Sequence, residues 1–165
     1  MEALARIADA LRRVEEAVAI GLVIAIAVIL NLQVVCRYFL DSPLIWPEEI
    51  ARLSLIWLTY VGCAAVAARG GHIAVDMLVA RLPDAARRRA FAAIELVLGV
   101  VFAILAWLAL RLAQSLAGME TAATEIPMAW LAAPLVVGGV LSAFHCAARA
   151  ALALGPGRPT EVAAP

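Results

Sequence analysis

Lysine is absent from this 165-residue sequence, so all 13 basic residues are arginine. That reads as a compositional bias rather than as chemistry. Charge is scarce: 16% of residues are charged, against about 25% in an ordinary soluble domain. The formal net charge is +0, which leaves no overall field to hold nucleic acid. Cysteine is limited to Cys36, Cys63 and Cys146, each inside or at the end of an apolar run and none in a CxxC pair. A buried free cysteine acts as a small apolar residue, so packing outweighs a disulfide or metal site. No GxGxxG or GxxxxGK[ST] loop is present to cradle a phosphate. The spacing of Ser, His and Asp suggests no nucleophilic set. Glu48 and Glu49 are adjacent, so on a helix their side chains diverge by about 100°. That is poor geometry for an acid–base pair, and the chain is not expected to be an enzyme. No catalytic residue, cofactor or metal site is expected.

What the sequence does have is apolar length. It is 65% hydrophobic, with a mean hydropathy of +0.98. A helix crossing the hydrocarbon core needs about 20 predominantly apolar residues, and four such stretches occur. The expected fold is an all-α membrane protein, a single membrane domain over residues 1–165. Its four transmembrane helices fall at about residues 17–38, 48–69, 90–112 and 127–151. No internal repeat is evident. The first residues carry Glu2, Asp9, Glu15 and Glu16 beside three arginines, and the apolar run that follows exceeds a signal-peptide core. An uncleaved helix is expected there.

Within residues 2–16, Leu4, Ile7, Leu11, Val14 and Val18 recur at spacings of three and four, one face of an N-terminal amphipathic helix. In the first span, Asn31 is the deepest polar residue. Helix–helix hydrogen bonding is its expected role, and a pathway lining the alternative. In the second span Thr59, Cys63 and Ala67 form a small-residue ridge, with Gly62 beside it. Gly70-Gly71 ends that helix, and His72–Leu82 is mildly amphipathic, read as a short interfacial helix in the connecting loop. Glu95 lies near enough to Arg87-Arg88-Arg89 to pair with them. Pro127 opens the fourth span, and Pro134 is a kink position. Gly138, Ser142, Cys146 and Ala150 form one small ridge of that span, Gly139, Ala143, Ala147 and Ala151 another. The proline-containing tail 155–165 reads as disordered.

Arginine placement sets orientation. With four spans, one side holds Arg6, Arg12, Arg13, Arg69, Arg81, Arg87, Arg88, Arg89, Arg149 and Arg158, and the other Arg37, Arg52 and Arg111. Ten against three places both termini in the cytoplasm and the link between the first two spans outside. That link is unusual for a turn. Arg37, Tyr38, Trp46, Glu48, Glu49 and Arg52 concentrate charge and interfacial aromatics at one membrane face, around Pro43 and Pro47. Pro47 suits a first helical turn, where the helix dipole also favours Glu48 and Glu49. The readings open for this cluster are a structural brace between two spans and a surface for partners.

The string Asn31, Arg37-Tyr38, Pro43, Trp46, Glu48-Glu49, Ala51-Arg52, Trp57, Gly62 and Gly71-His72 resembles the small membrane subunit of tripartite ATP-independent periplasmic (TRAP) transporters, the DctQ type. The likeness is carried by the first half; the second half agrees in length and span count. It implies a multi-pass protein of the bacterial inner membrane with two protein partners besides membrane lipid. One is a large membrane subunit holding the substrate and sodium sites, the other a periplasmic substrate-binding protein. The small subunit then braces the large one and helps dock the binding protein, for sodium-coupled uptake of a small organic anion. Nucleic acid is not an expected partner. The rival reading is a haem- or quinone-linked anchor of a respiratory enzyme, resting on His72 and His145 at similar depth. Residues expected to matter are the cluster named above and, for helix packing, Thr59, Gly62, Cys63, Gly138 and Ser142.

Overall fold

The computed structural model describes residues 2–69 and 83–154. Four helices account for nearly all of them. The first, α1, runs unbroken over Glu2–Tyr38; α2 covers Pro47–Arg69, α3 Asp84–Ser115 and α4 Ala129–Leu154. All four are long and apolar enough to cross a membrane, which makes this an all-α membrane protein. The interfacial helix expected at His72–Leu82, the Gly70-Gly71 stop, His72 and the tail 155–165 lie outside the described residues.

At 1.5 Å per residue, the 37 residues of α1 extend about 55 Å, well beyond the roughly 30 Å hydrocarbon core. The charged stretch before Ala17 is therefore continuous with the apolar stretch that follows. Asp41, just past the end of α1, takes a left-handed conformation (φ 51°), which aspartate tolerates better than most residues. The Ser42 N–H there reaches back to the Cys36 carbonyl at 3.1 Å, and Phe39 N–H to Val35 at 2.9 Å, so the end carbonyls are used. Pro47 is the first residue of α2, buried, at a position where its missing N–H leaves nothing unpaired.

The helices stand in an open row rather than a closed bundle. α1 packs on α2, α2 on α4, and α4 on α3; α1 reaches α4 only slightly, and among the described residues neither α1 nor α2 touches α3. Burial follows this order. α4, flanked on both sides, buries nine residues, while α1 buries Glu15 alone among the described residues. The centre of the fold is small: Ala64, Ala67, Ala106, Ala132, Gly138, Cys146 and Ala148 are all buried.

Small residues let α4 sit against its neighbours at backbone distance. A Cβ on Gly138 would stand 2.6 Å from the Tyr60 carbonyl oxygen of α2. One on Gly139 would stand 3.0 Å from the Ala106 Cβ and 3.2 Å from the Phe102 carbonyl of α3. Gly138 thus meets α2, while its neighbour Gly139 meets α3. The fourth helix begins at Ala129 and not at Pro127, because Pro127 is held opposite Glu120 in an isolated antiparallel bridge.

Candidate functional site

The up-and-down order gives the molecule two ends. At the hairpin end, residues 39–46 link α1 to α2 and residues 116–128 link α3 to α4. The second link is folded rather than slack. Thr121 N–H bonds the Ile126 carbonyl at 2.9 Å, and Met128 N–H the Met119 carbonyl at 2.8 Å. Two residues there, Gly118 (φ 86°) and Glu125 (φ 54°), take left-handed conformations to make the turns.

Glu49 fastens this loop to α2. Its Oε2 accepts the backbone N–H of Thr124 at 2.8 Å and the Thr124 hydroxyl at 2.5 Å. With that proton given to the carboxylate, Thr124 Oγ1 accepts from the Thr121 hydroxyl at 2.9 Å. Thr121 Oγ1 in turn accepts the Ile126 N–H at 3.1 Å. A directed chain of hydrogen bonds therefore runs from the loop backbone into one carboxylate, and such charge-assisted bonds are the strong ones.

The remaining members of the sequence cluster do not gather around Glu49. Arg52 bonds Glu48 at 3.3 Å, exposed and one turn apart on the same helix. Arg37 lies over the Tyr38 ring at 5.9 Å. Tyr38, Phe39, Leu40, Ile45 and Trp46 are exposed around them. This end thus presents an apolar, aromatic tip above a firmly tied loop.

The arginine-rich end carries most of the polar contacts between helices. Glu15 of α1 and His145 of α4 are 3% and 1% exposed, with His145 Nε2 2.9 Å from Glu15 Oε1 and 3.2 Å from Oε2. Glu16, one residue on, receives Arg69 of α2 at 2.8 Å and Arg12 of its own helix at 2.6 Å. Arg12 also bonds Asp9 at 2.6 Å. Arg149 of α4 bonds the buried Glu95 of α3 at 2.9 Å and lies over the Phe91 ring at 5.1 Å. Its Nη1 reaches the Ala68 carbonyl of α2 at 3.5 Å. Every helix is tied to another by charge at this end.

Four sequence expectations change here. Glu95 pairs with Arg149, not with Arg87-Arg88-Arg89, since α4 brings a guanidinium to its buried carboxylate. Asn31 makes no bond between helices: it is exposed and donates to the Ala27 carbonyl of its own helix at 2.7 Å. Thr59 likewise bonds its own helix, at Leu55, and is exposed together with Cys63, while a Cβ on Gly62 would meet nothing within 4 Å. Of the five packing positions named from sequence, Gly138 and Ser142 are buried within the chain and these three are not. His145, weighed above for haem, turns its Nε2 to Glu15. Glu15 and Thr124 were missed by sequence reading. Glu15 had one signal, a carboxylate on the same side as an otherwise apolar helix face; Thr124 had none.

Comparison with known proteins bears on what these two ends serve. The model of the family described as "Tripartite ATP-independent periplasmic transporters, DctQ component" matches residues 10–155. The sialic acid TRAP transporter small permease protein SiaQ of Vibrio cholerae is 30% identical over 135 residues, 82% of this chain and 78% of that one. The sialic acid TRAP transporter permease protein SiaT of Haemophilus influenzae is 27% identical over 135 residues, which make up 22% of that longer chain. A putative TRAP transporter small permease protein of the same species is 27% identical over 106 residues, 64% of each chain.

Proposed function

This chain belongs to the DctQ family, the small permease subunit of TRAP transporters, and from that premise we propose how it serves its system. It is a multi-pass protein of the inner membrane, paired with a large permease and a periplasmic binding protein, and a transporter component rather than an enzyme. Its proposed role is that of a static brace: it holds the large subunit in place while the substrate crosses elsewhere, and its outward end helps seat the binding protein.

One observation carries this reading. The four helices are fastened to one another at the arginine-rich end by Glu15–His145, Glu16–Arg69 and Glu95–Arg149, and at the other end Glu49–Thr124 ties α2 to the link between α3 and α4. A moving carrier needs an element free to shift; this arrangement ties each helix to another. Both termini lie in the cytoplasm on this reading, since the arginines gather at that end. The hairpin then faces the periplasm, where its exposed Tyr38, Phe39, Ile45 and Trp46 are the surface proposed for the binding protein.

The system's cargo is proposed to be a small organic anion taken up with sodium. The relatives named for sialic acid, a carboxylate, support that class without fixing the compound. The test of the docking role is uptake by the assembled transporter carrying Glu49→Gln or Arg52→Ala at matched membrane levels, with pull-down of each partner. Lowered uptake and weakened capture of the binding protein, with the large subunit retained, are expected. Normal uptake and normal retention in both variants would reduce the hairpin to a turn.

A further inference from the structure

The outer stripe of α1 has no explanation in the contacts of this chain. Half-buried Leu22, Ile26, Ile29, Gln33 and Cys36 recur at three- and four-residue spacing and mark the side of α1 turned to α2. Opposite them Ile20, Ile24, Ala27, Asn31, Val35 and Tyr38 form one exposed stripe. Asn31 lies at its centre. Seven residues before the end of α1, it sits about 10 Å along the axis from that end, inside the hydrocarbon if Tyr38 marks the interface.

One amide proton of Asn31 goes to the Ala27 carbonyl. Its other proton and its oxygen have no partner among the described residues. A carboxamide left so in lipid is expensive, which is why polar side chains at membrane depth face protein or water.

The outer face of α3 offers the contrast. Val97, Val100, Val101, Ile104, Leu105 and Leu108 are exposed and purely aliphatic. Toward the helix end Trp107 lies under Arg111 at 5.1 Å, the aromatic and cationic pairing that suits a headgroup region. Lipid satisfies that face completely, and it does not satisfy the α1 stripe.

We infer that the stripe of α1 centred on Asn31 is a protein interface, and that its occupant is the large membrane subunit, which meets the free carboxamide groups with a donor and an acceptor at that depth. The inference rests on the bracing role proposed above. The binding protein is excluded as occupant by depth, because a periplasmic partner cannot reach a side chain within the hydrocarbon. The small side chain of Ala27 beside Asn31 allows the close approach such a bond needs.

The experiment uses the assembled transporter. A photo-crosslinking amino acid is placed at Ile24, at Val35 and, for comparison, at Ile104 on α3, and the cross-linked products are identified by mass. All three sites are exposed, so the fold tolerates the label. Adducts to the large subunit from Ile24 and Val35, and none from Ile104, are expected. Asn31→Leu should also release part of the large subunit during purification in mild detergent, and Asn31→Gln less of it. Adducts to lipid alone, adducts to a second copy of this chain, or adducts to the large subunit from Ile104 instead would each overturn the α1 assignment while leaving the bracing role standing. Unchanged retention in Asn31→Leu would do the same. If no large subunit accompanies the unlabelled chain, the bracing role and this inference fall together.

Discussion

Glu15 and His145 form the most deeply buried polar contact among the described residues, so they test how the arginine-rich end is held. Removing one partner of a buried hydrogen-bonded contact leaves the other unsatisfied and costs about 1–3 kcal/mol. His145→Leu is therefore expected to lower the melting temperature of the detergent-solubilised chain markedly. Glu15→Gln, which keeps a hydrogen-bonding group opposite the imidazole, should lower it much less. Equal effects would mean that packing rather than the polar contact matters there. At the hairpin end Thr124→Val keeps shape and removes the hydroxyl that Glu49 holds at 2.5 Å. A hydrogen bond to a charged group contributes about 1.5–3 kcal/mol. Loosening of residues 116–128 should follow, read as faster amide exchange in that loop and unchanged exchange in α1.

Glycine separates the helices into those packed within the chain and those open to partners. Gly138→Ala puts a methyl 2.6 Å from a backbone oxygen of α2, which only a shift of one helix can relieve. Overpacking of this kind costs about 1–3 kcal/mol, more than the roughly 1 kcal/mol that alanine gains over glycine in a helix. Gly62→Ala, with nothing within 4 Å, should leave the isolated chain as stable or slightly more so. Thermal unfolding of the two variants side by side checks this, and a neutral Gly138→Ala would contradict the packing described here.

The same helices show how far sequence reaches. Apolar run length announced four membrane helices, because the hydrocarbon thickness dictates that length directly. Pro47 and the acidic pair after it announced the start of α2 for equally local reasons. Which neighbour a small face meets is not local. Gly138 and Gly62 look alike in sequence, yet one touches Tyr60 and the other nothing. Glu95 stood near Arg87-Arg88-Arg89 in sequence, and only the fold of α4 over α3 brings it Arg149. Glu49 seemed explained by the helix dipole and by the charges beside it in the hairpin, so nothing in the sequence called for a partner 75 residues away.

The whole molecule is a fastened row of helices that works as part of a larger assembly. The orientation proposed from arginine placement is testable: reporter fusions after Arg89 and after Glu120 should read cytoplasm and periplasm respectively. The opposite result would turn the aromatic tip inward and remove the docking proposal. The central claim is that this chain braces a transporter without transporting. Uptake of a radiolabelled organic acid into proteoliposomes under an inward sodium gradient tests it most directly, with this chain alone, with the large subunit and binding protein alone, and with all three. Uptake is expected with all three, none above protein-free vesicles with this chain alone, and a clear deficit when this chain is omitted. Sodium-driven uptake by this chain alone, or full uptake without it, would contradict the account.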